Sequence, residues 1–236
     1  ITRHGNSFKN VGRLKSWENR EGEAMRALRC QPREPEGKGF LVCIEGLDKS
    51  GKTTHSRLLV KALNNMGYDA IYTCEPSRGI FGSLLRNIIL HGQRRAPPVL
   101  EAVLFAADRF DHVENEIKPA LKEGKIVVSD RYLYSSLAYQ GASGLDLDWI
   151  REINRFAPTP DLAIYIDVPV EVILERIRKG RSLMEWPKIQ FEVQKVYLRL
   201  VEEGLLVPVD GNRPVDEVSR DILSMVLERL EGPSEA

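Results

Sequence analysis

The run Phe40-Leu41-Val42-Cys43-Ile44 is almost wholly apolar and is followed closely by Gly46, the pattern of a strand buried on both faces of a parallel sheet. Apolar positions then change to helical spacing. Leu58, Leu59, Ala62, Leu63 and Met66 fall on one face of a helix over 53–66, which Gly67 closes. Ala70-Ile71-Tyr72-Thr73 predicts a second strand, and 80–91 a helix. A long helical pattern covers 98–123, with Pro119 marking a bend or a break. Further strands are predicted at Ile126-Val127-Val128, Leu162-Ala163-Ile164-Tyr165-Ile166 and Leu205-Leu206-Val207-Pro208-Val209. Helical patterns separate and follow them, at about 146–156, 169–179, 188–203 and 214–231. Strand alternating with helix at this spacing predicts an α/β fold, a five-stranded parallel sheet with helices on both faces.

Composition narrows the picture a little. The chain has 236 residues, of which 42% are hydrophobic and 29% charged, enough to bury a sizeable core. Basic and acidic residues balance at 34 each, which argues against a protein devoted to nucleic acid or to an anionic membrane. Residues 1–38 are different: nine Lys/Arg stand against five Asp/Glu, apolar spacing is irregular, and the stretch runs into the Pro- and Gly-bearing segment 31–39. These features predict an N-terminal extension, flexible or loosely docked, ahead of a domain over 39–236. No apolar run approaches the roughly 20 residues of a membrane helix. Cys30, Cys43 and Cys74 are too few and too scattered for a disulfide framework or a zinc site, so a reducing, cytoplasmic setting is expected.

Chemistry enters with Gly46-Leu47-Asp48-Lys49-Ser50-Gly51-Lys52-Thr53, which fits GxxxxGK[ST] between a predicted strand and a predicted helix. Glycines let such a loop curl with its N–H groups inward, forming an anion cradle at a helix N-terminus. Lys52 then reaches the β- and γ-phosphates, and the Thr53 hydroxyl is a Mg²⁺ ligand. The loop specifies a nucleoside triphosphate but not a reaction. Three further clusters bear on the acceptor. Glu75-Pro76-Ser77-Arg78 and Ser129-Asp130-Arg131-Tyr132 follow predicted strands, at the rim where open α/β sheets bind ligands. Phe105 and Arg109 lie four apart on one face of the long helix. Each cluster alone is commonly structural. Together with a triphosphate loop, arginines and stacking aromatics suit a second phosphate ester that carries a planar base.

In these residues the chain resembles the thymidylate kinase family of P-loop nucleoside monophosphate kinases, over roughly 40–230. The resemblance is carried by Ile44-Glu45-Gly46-Leu47-Asp48 through Thr54, Glu75-Pro76, Leu104-Phe105-Ala106-Ala107-Asp108-Arg109, and Asp130-Arg131-Tyr132 with Ser135 and Ala138-Tyr139-Gln140-Gly141. It implies strand order 2-3-1-4-5 and the reaction ATP + dTMP giving ADP + dTDP, with Mg²⁺ required and a homodimer expected. It also implies roles residue by residue. Gly46, Leu47, Asp48, Lys49, Ser50, Gly51, Lys52, Thr53 and Thr54 form the ATP loop, and Arg176 packs against adenine. Asp48 accepts from the deoxyribose 3′-hydroxyl. Phe105 stacks on thymine, Arg109 donates to its O4, and Ser136 lies near the N3 edge. Tyr139 and Gln140 line the same pocket, Arg86 and Arg131 hold the monophosphate, and Glu75 faces the phosphates. Thr53 and Asp130 belong to the Mg²⁺ site. Lys49, Lys52, Arg131 and Arg181 are the catalytic cations, Arg181 coming from a lid at about 176–188; whether Lys49 or Arg181 carries the transition-state charge stays open. Two alternatives also stay open: a kinase of dUMP or another pyrimidine monophosphate, and a non-catalytic P-loop module.

Overall fold

The structure is a computed structural model that describes residues 39–91, 96–177 and 187–231. The predicted extension, Arg181 and most of the predicted lid lie outside the described residues. Five parallel strands form the sheet: β1 (Phe40–Gly46), β2 (Ala70–Cys74), β3 (Ile126–Asp130), β4 (Leu162–Asp167) and β5 (Val207–Asp210), in the order β2-β3-β1-β4-β5. This is the expected order. β1 is central, paired with β3 (Ile44 opposite Asp130) and with β4 (Gly46 opposite Ile166). Leu41, Val42, Cys43 and Ile44 are fully buried, which accounts for the unbroken apolar run, since a strand covered on both faces has no solvent side to mark.

Helices close both faces. α1 (Lys52–Asn65) lies on β1, β2 and β3, and beside it α9 (Val215–Glu231) covers β4 and β5. The opposite layer holds α3 (Pro98–His112), α4 (Lys118–Lys122), α5 (Leu133–Ala142) and α8 (Pro187–Glu202). α2 (Ile80–His91) packs on α3, α6 (Leu147–Ile153) on α3 and α5, and α7 (Val170–Ile177) on α8.

Three expectations change in detail. The buried stripe of α1 is Lys52, His55, Ser56, Leu59 and Leu63, while Leu58 and Met66 are exposed. The buried face is turned toward α9, where His55 Nδ1 lies 2.9 Å from the Ser219 hydroxyl. The long helix over 98–123 is interrupted by a π-turn at Val113–Ile117 before Pro119 enters the first turn of α4. A proline has no N–H to give and its ring crowds the preceding turn, so a locally widened turn accommodates it. Finally, α5 was not predicted. From Leu133 to Gln140 every residue except Ser135 is buried, so no polar face sets a helical period.

Candidate active site

The C-terminal ends of β1, β2 and β3 reach the same rim, where Ile44 and Cys74 both sit opposite Asp130. A cavity of about 800 Å³ opens there. Its wall is built from the loop after β1 (Asp48, Lys49, Gly51–Thr54), the ends of β2 and β3 (Glu75, Asp130, Arg131), Arg86 of α2, Phe105 and Arg109 of α3, Ser136, Tyr139 and Gln140 of α5, and Arg176 of α7. The structure therefore brings nearly every residue singled out in the sequence to one place. Gly46, Leu47 and Ser50 form the loop without lining the cavity, and Arg181 is outside the described residues.

The loop is shaped by close approach. Gly46 has φ 149°, and a Cβ there would lie 2.9 Å from the Ile166 carbonyl oxygen. Gly51 caps α1 at φ 102°. Lys49 and Arg131 are the non-glycine residues with left-handed backbones among those described, at φ 66° and 74°. That conformation costs an L-residue about 1–2 kcal/mol, and such strain gathers at functional sites. Lys52 is buried and its ammonium donates to the Leu47 carbonyl at 2.6 Å. Burial and the nearby Arg131 charge pull its pKa down to about 8 against the opposing pull of Asp48, Asp130 and Glu45. An anion in the loop would restore full protonation.

Asp48 and Arg131 face each other as an ion pair, with Tyr139 beside both: its hydroxyl accepts from the Asp48 N–H at 3.1 Å, and its ring lies 5.1 Å under the Arg131 guanidinium. Burial pushes the Asp48 carboxyl up, but the charges of Arg131 and Lys52 prevail and hold it below its ordinary value. Arg86 donates to the carbonyls of Pro76 (2.8 Å) and Ser77 (2.5 Å), which ties α2 to the turn after β2. Asp108 secures the same turn, accepting from Ser77 N–H and hydroxyl at 2.8 and 2.6 Å.

At the other end, Arg109 is buried and clamped. It donates to Glu75 Oε2 (2.6 Å), Asn154 Oδ1 (2.6 Å) and Ser136 Oγ (3.1 Å), while its Nε–H has no partner. Gln140, also buried, has an unpartnered amide oxygen. Glu75, expected to face phosphates, instead spends its second oxygen on His112 Nδ1 at 3.3 Å. His112 Nε2 lies 2.6 Å from the Thr73 hydroxyl. His112, Thr73 and Asn154 were not singled out in the sequence, and Glu45 was quoted there only as part of the motif, without a role. A charged residue ending a buried apolar strand was a readable signal for Glu45, and a histidine three residues after Arg109 a weaker one for His112. Asn154 had none.

A triphosphate loop, a second set of cations and a base-sized polar end, all on one cavity above a 2-3-1-4-5 sheet, define a P-loop kinase. Comparison with known proteins is more specific. The family model described as thymidylate kinase matches residues 44–222. The chain is 44% identical over 204 residues to a protein named probable thymidylate kinase from Thermococcus gammatolerans, covering 81% of this chain and 98% of that one. Relatives with the same name from Pyrococcus horikoshii and Staphylothermus marinus are 43% and 41% identical over 206 and 199 residues. These alignments cover 83% of this chain each, and 99% and 98% of the relatives. The chain belongs to the thymidylate kinase family and is a phosphotransferase.

Proposed function

We propose that the protein transfers the γ-phosphoryl group of ATP to dTMP, giving ADP and dTDP, with the two nucleotides meeting head-on in the one cavity. The observation that carries this reading is the convergence on one cavity of the phosphate loop and of Arg86 and Arg131, two cations that come from other elements. The base end supports a 4-oxo pyrimidine. Arg109 and Gln140 both line the cavity, and a guanidinium with a side-chain amide suits a base that offers O4 and N3–H. Cytosine presents the opposite pattern. Phe105, half-buried on the cavity wall, stacks on the ring.

The nucleophile is a phosphate oxygen of dTMP, already largely anionic at neutral pH because its second pKa is near ~6, so no general base is required. It attacks the γ-phosphorus as the bond to the bridging β–γ oxygen breaks, and the electron pair leaves with ADP. What the reaction needs is screening of two polyanions, supplied by Lys52, Arg131 and Lys49. Asp48 accepts from the 3′-hydroxyl once the acceptor phosphate replaces it as the partner of Arg131. Arg176, which donates to the Lys49 carbonyl at 3.1 Å, holds the donor side, and Arg181 of the lid is the further cation.

A magnesium ion fits the residues present. The Thr53 hydroxyl and an Asp130 carboxylate oxygen lie 2.5 Å apart, hard oxygen donors at the cavity wall. Among the described residues no cluster of three His, Cys, Asp or Glu could hold a metal alone, which suits an ion held jointly with substrate phosphates. When bound, it neutralises developing charge on the β- and γ-oxygens. The active form is a homodimer, built on the exposed apolar residues Phe81 and Leu84 of α2 and Val99, Leu100 and Val103 of α3. The free Cys43 and Cys74 suit a cytoplasmic setting.

The test is ADP release with each nucleoside monophosphate in turn. Turnover should be greatest with dTMP, and Lys52→Ala should lower it by orders of magnitude with the fold intact. Near-normal turnover in that variant, or ADP release indifferent to the acceptor, would sink the reading.

A further inference from the structure

We propose that Glu45, which does not line the cavity itself but bonds Ser135, which does, is a positioning residue that aims Arg131 at the acceptor phosphate by orienting the Ser135 hydroxyl. This rests on the reading of Arg131 as the acceptor-phosphate cation. Glu45 ends the apolar run of β1 and is fully buried. Its carboxylate accepts four hydrogen bonds. Oε1 takes the N–H groups of Tyr132 (2.8 Å) and Ser135 (3.2 Å), and Oε2 takes the hydroxyls of Ser135 (2.6 Å) and Tyr197 (3.1 Å).

The first pair replaces a missing helix cap. Tyr132 is the N-cap of α5 and has no side-chain capping bond, so the carboxylate of a neighbouring strand satisfies these N–H groups. It thereby closes the turn in which Arg131 is held left-handed. Around that turn the Arg131 N–H donates to the Ile44 carbonyl at 3.0 Å, and the Ser129 hydroxyl donates to the Arg131 carbonyl at 2.7 Å.

The second pair sets a polarity. Ser135 has one hydroxyl proton, and Glu45 takes it. The lone pairs of Ser135 Oγ are then left for Arg131 Nη1, which donates to it at 3.0 Å. Tyr197, stacked on Tyr165 with ring centroids 4.8 Å apart, donates to the same carboxylate oxygen at 3.1 Å, and its hydroxyl also lies 3.0 Å from that of Ser135. A carboxylate can accept from all four donors because it carries no proton of its own. A glutamine of the same shape cannot. Its amide oxygen keeps the two backbone N–H groups, but its NH₂ then meets the Ser135 oxygen. The serine proton is then released from Glu45, free to turn to the Tyr197 hydroxyl 3.0 Å away or toward the Arg131 guanidinium, where donor would meet donor. Glu45→Gln should therefore preserve the cap and loosen the hydrogen bond that orients Arg131, because the serine proton is no longer fixed away from it.

The experiment is steady-state kinetics with dTMP varied at saturating ATP, and ATP varied at saturating dTMP, for Glu45→Gln, Ser135→Ala, their double variant and Arg131→Ala. Glu45→Gln and Ser135→Ala should each raise the dTMP KM about 10-fold, the scale of one hydrogen bond to a charged group. The ATP KM should stay at its wild-type value, and the double variant should be no worse than the more severe single one. A wild-type dTMP KM in Glu45→Gln or in Ser135→Ala overturns the inference. So do effects that multiply in the double variant, or a parallel rise in both KM values, since a purely structural role would give these. If Glu45→Gln does not fold, Ser135→Ala decides alone, because it removes the hydroxyl and leaves the cap. If Arg131→Ala itself leaves the dTMP KM unchanged, the reading of Arg131 has failed, a result distinguishable from failure of the Glu45 relay.

Discussion

Beside the cavity a buried histidine, His112, shares the Glu75 carboxylate with Arg109. Burial alone would lower the pKa of His112, but its hydrogen bond to Glu75 and the charges of Glu75, Glu116 and Asp108 outweigh burial, and the pKa rises above its ordinary 6.5. A histidine raised in the folded state binds its proton more tightly there than in the unfolded chain. Its stabilisation is therefore complete below the unfolded value of 6.5 and lost as pH climbs through the folded value. Urea unfolding of wild type and His112→Gln across mildly acid to mildly alkaline pH should show the difference between them greatest on the acid side and shrinking toward alkaline pH. A difference that is flat, or that grows with pH, would contradict this assignment. The same scale holds the two left-handed cations. Lys49 and Arg131 were chosen from sequence as charges near phosphates, and the backbone shows both held in conformations that their side chains disfavour.

Elements meet at the turn after β2 through close approach of backbone to backbone. α2 runs so near the turn after β2 that a Cβ on Gly82 would lie 2.1 Å from the Ser77 carbonyl oxygen and 2.7 Å from Asp108 Oδ1. That approach lets Arg86 reach the Pro76 and Ser77 carbonyls and lets α3 hold the turn through Asp108. Gly82→Ala should therefore destabilise the fold by about 1–3 kcal/mol, the range for inserting a methyl into packed structure. It should also raise the dTMP KM more than the ATP KM, because the displaced turn anchors Arg86, the proposed acceptor-phosphate cation. Urea unfolding and paired KM measurements check both. An unchanged unfolding midpoint would mean that α2 can slide without penalty.

On the scale of the whole molecule, α2 and α3 bury one side against each other and leave Phe81, Leu84, Val99, Leu100 and Val103 exposed. An apolar surface shared by two neighbouring helices is suited to a self-complementary, twofold contact. Because Arg86 and Arg109 sit on these same helices, the contact would also stiffen the acceptor end. Leu84→Glu combined with Val103→Glu should halve the solution mass measured by light scattering while the thermal transition stays cooperative. A mass unaltered by the two charges would exclude this face as the dimer contact.

Where a feature depended on neighbours in the chain, the sequence was enough. Gly46 to Thr53 is a phosphate loop because eight consecutive residues supply its glycines, its lysine and its hydroxyl, and the buried strands announce themselves as short apolar runs. Strand and helix alternation determined the parallel α/β class, and the resemblance supplied the strand order. Features that depended on distant residues were beyond it. The clamp on Arg109 draws Glu75, Ser136 and Asn154 from three separate elements, and the four bonds to Glu45 come from α5, its cap and α8. α5 itself left no periodic trace, since a helix buried on nearly all sides has no polar face. The tertiary structure decided these matters because a buried polar group must find its partner wherever the packed chain places one, and a hydrogen bond across the fold leaves no spacing to read along the sequence.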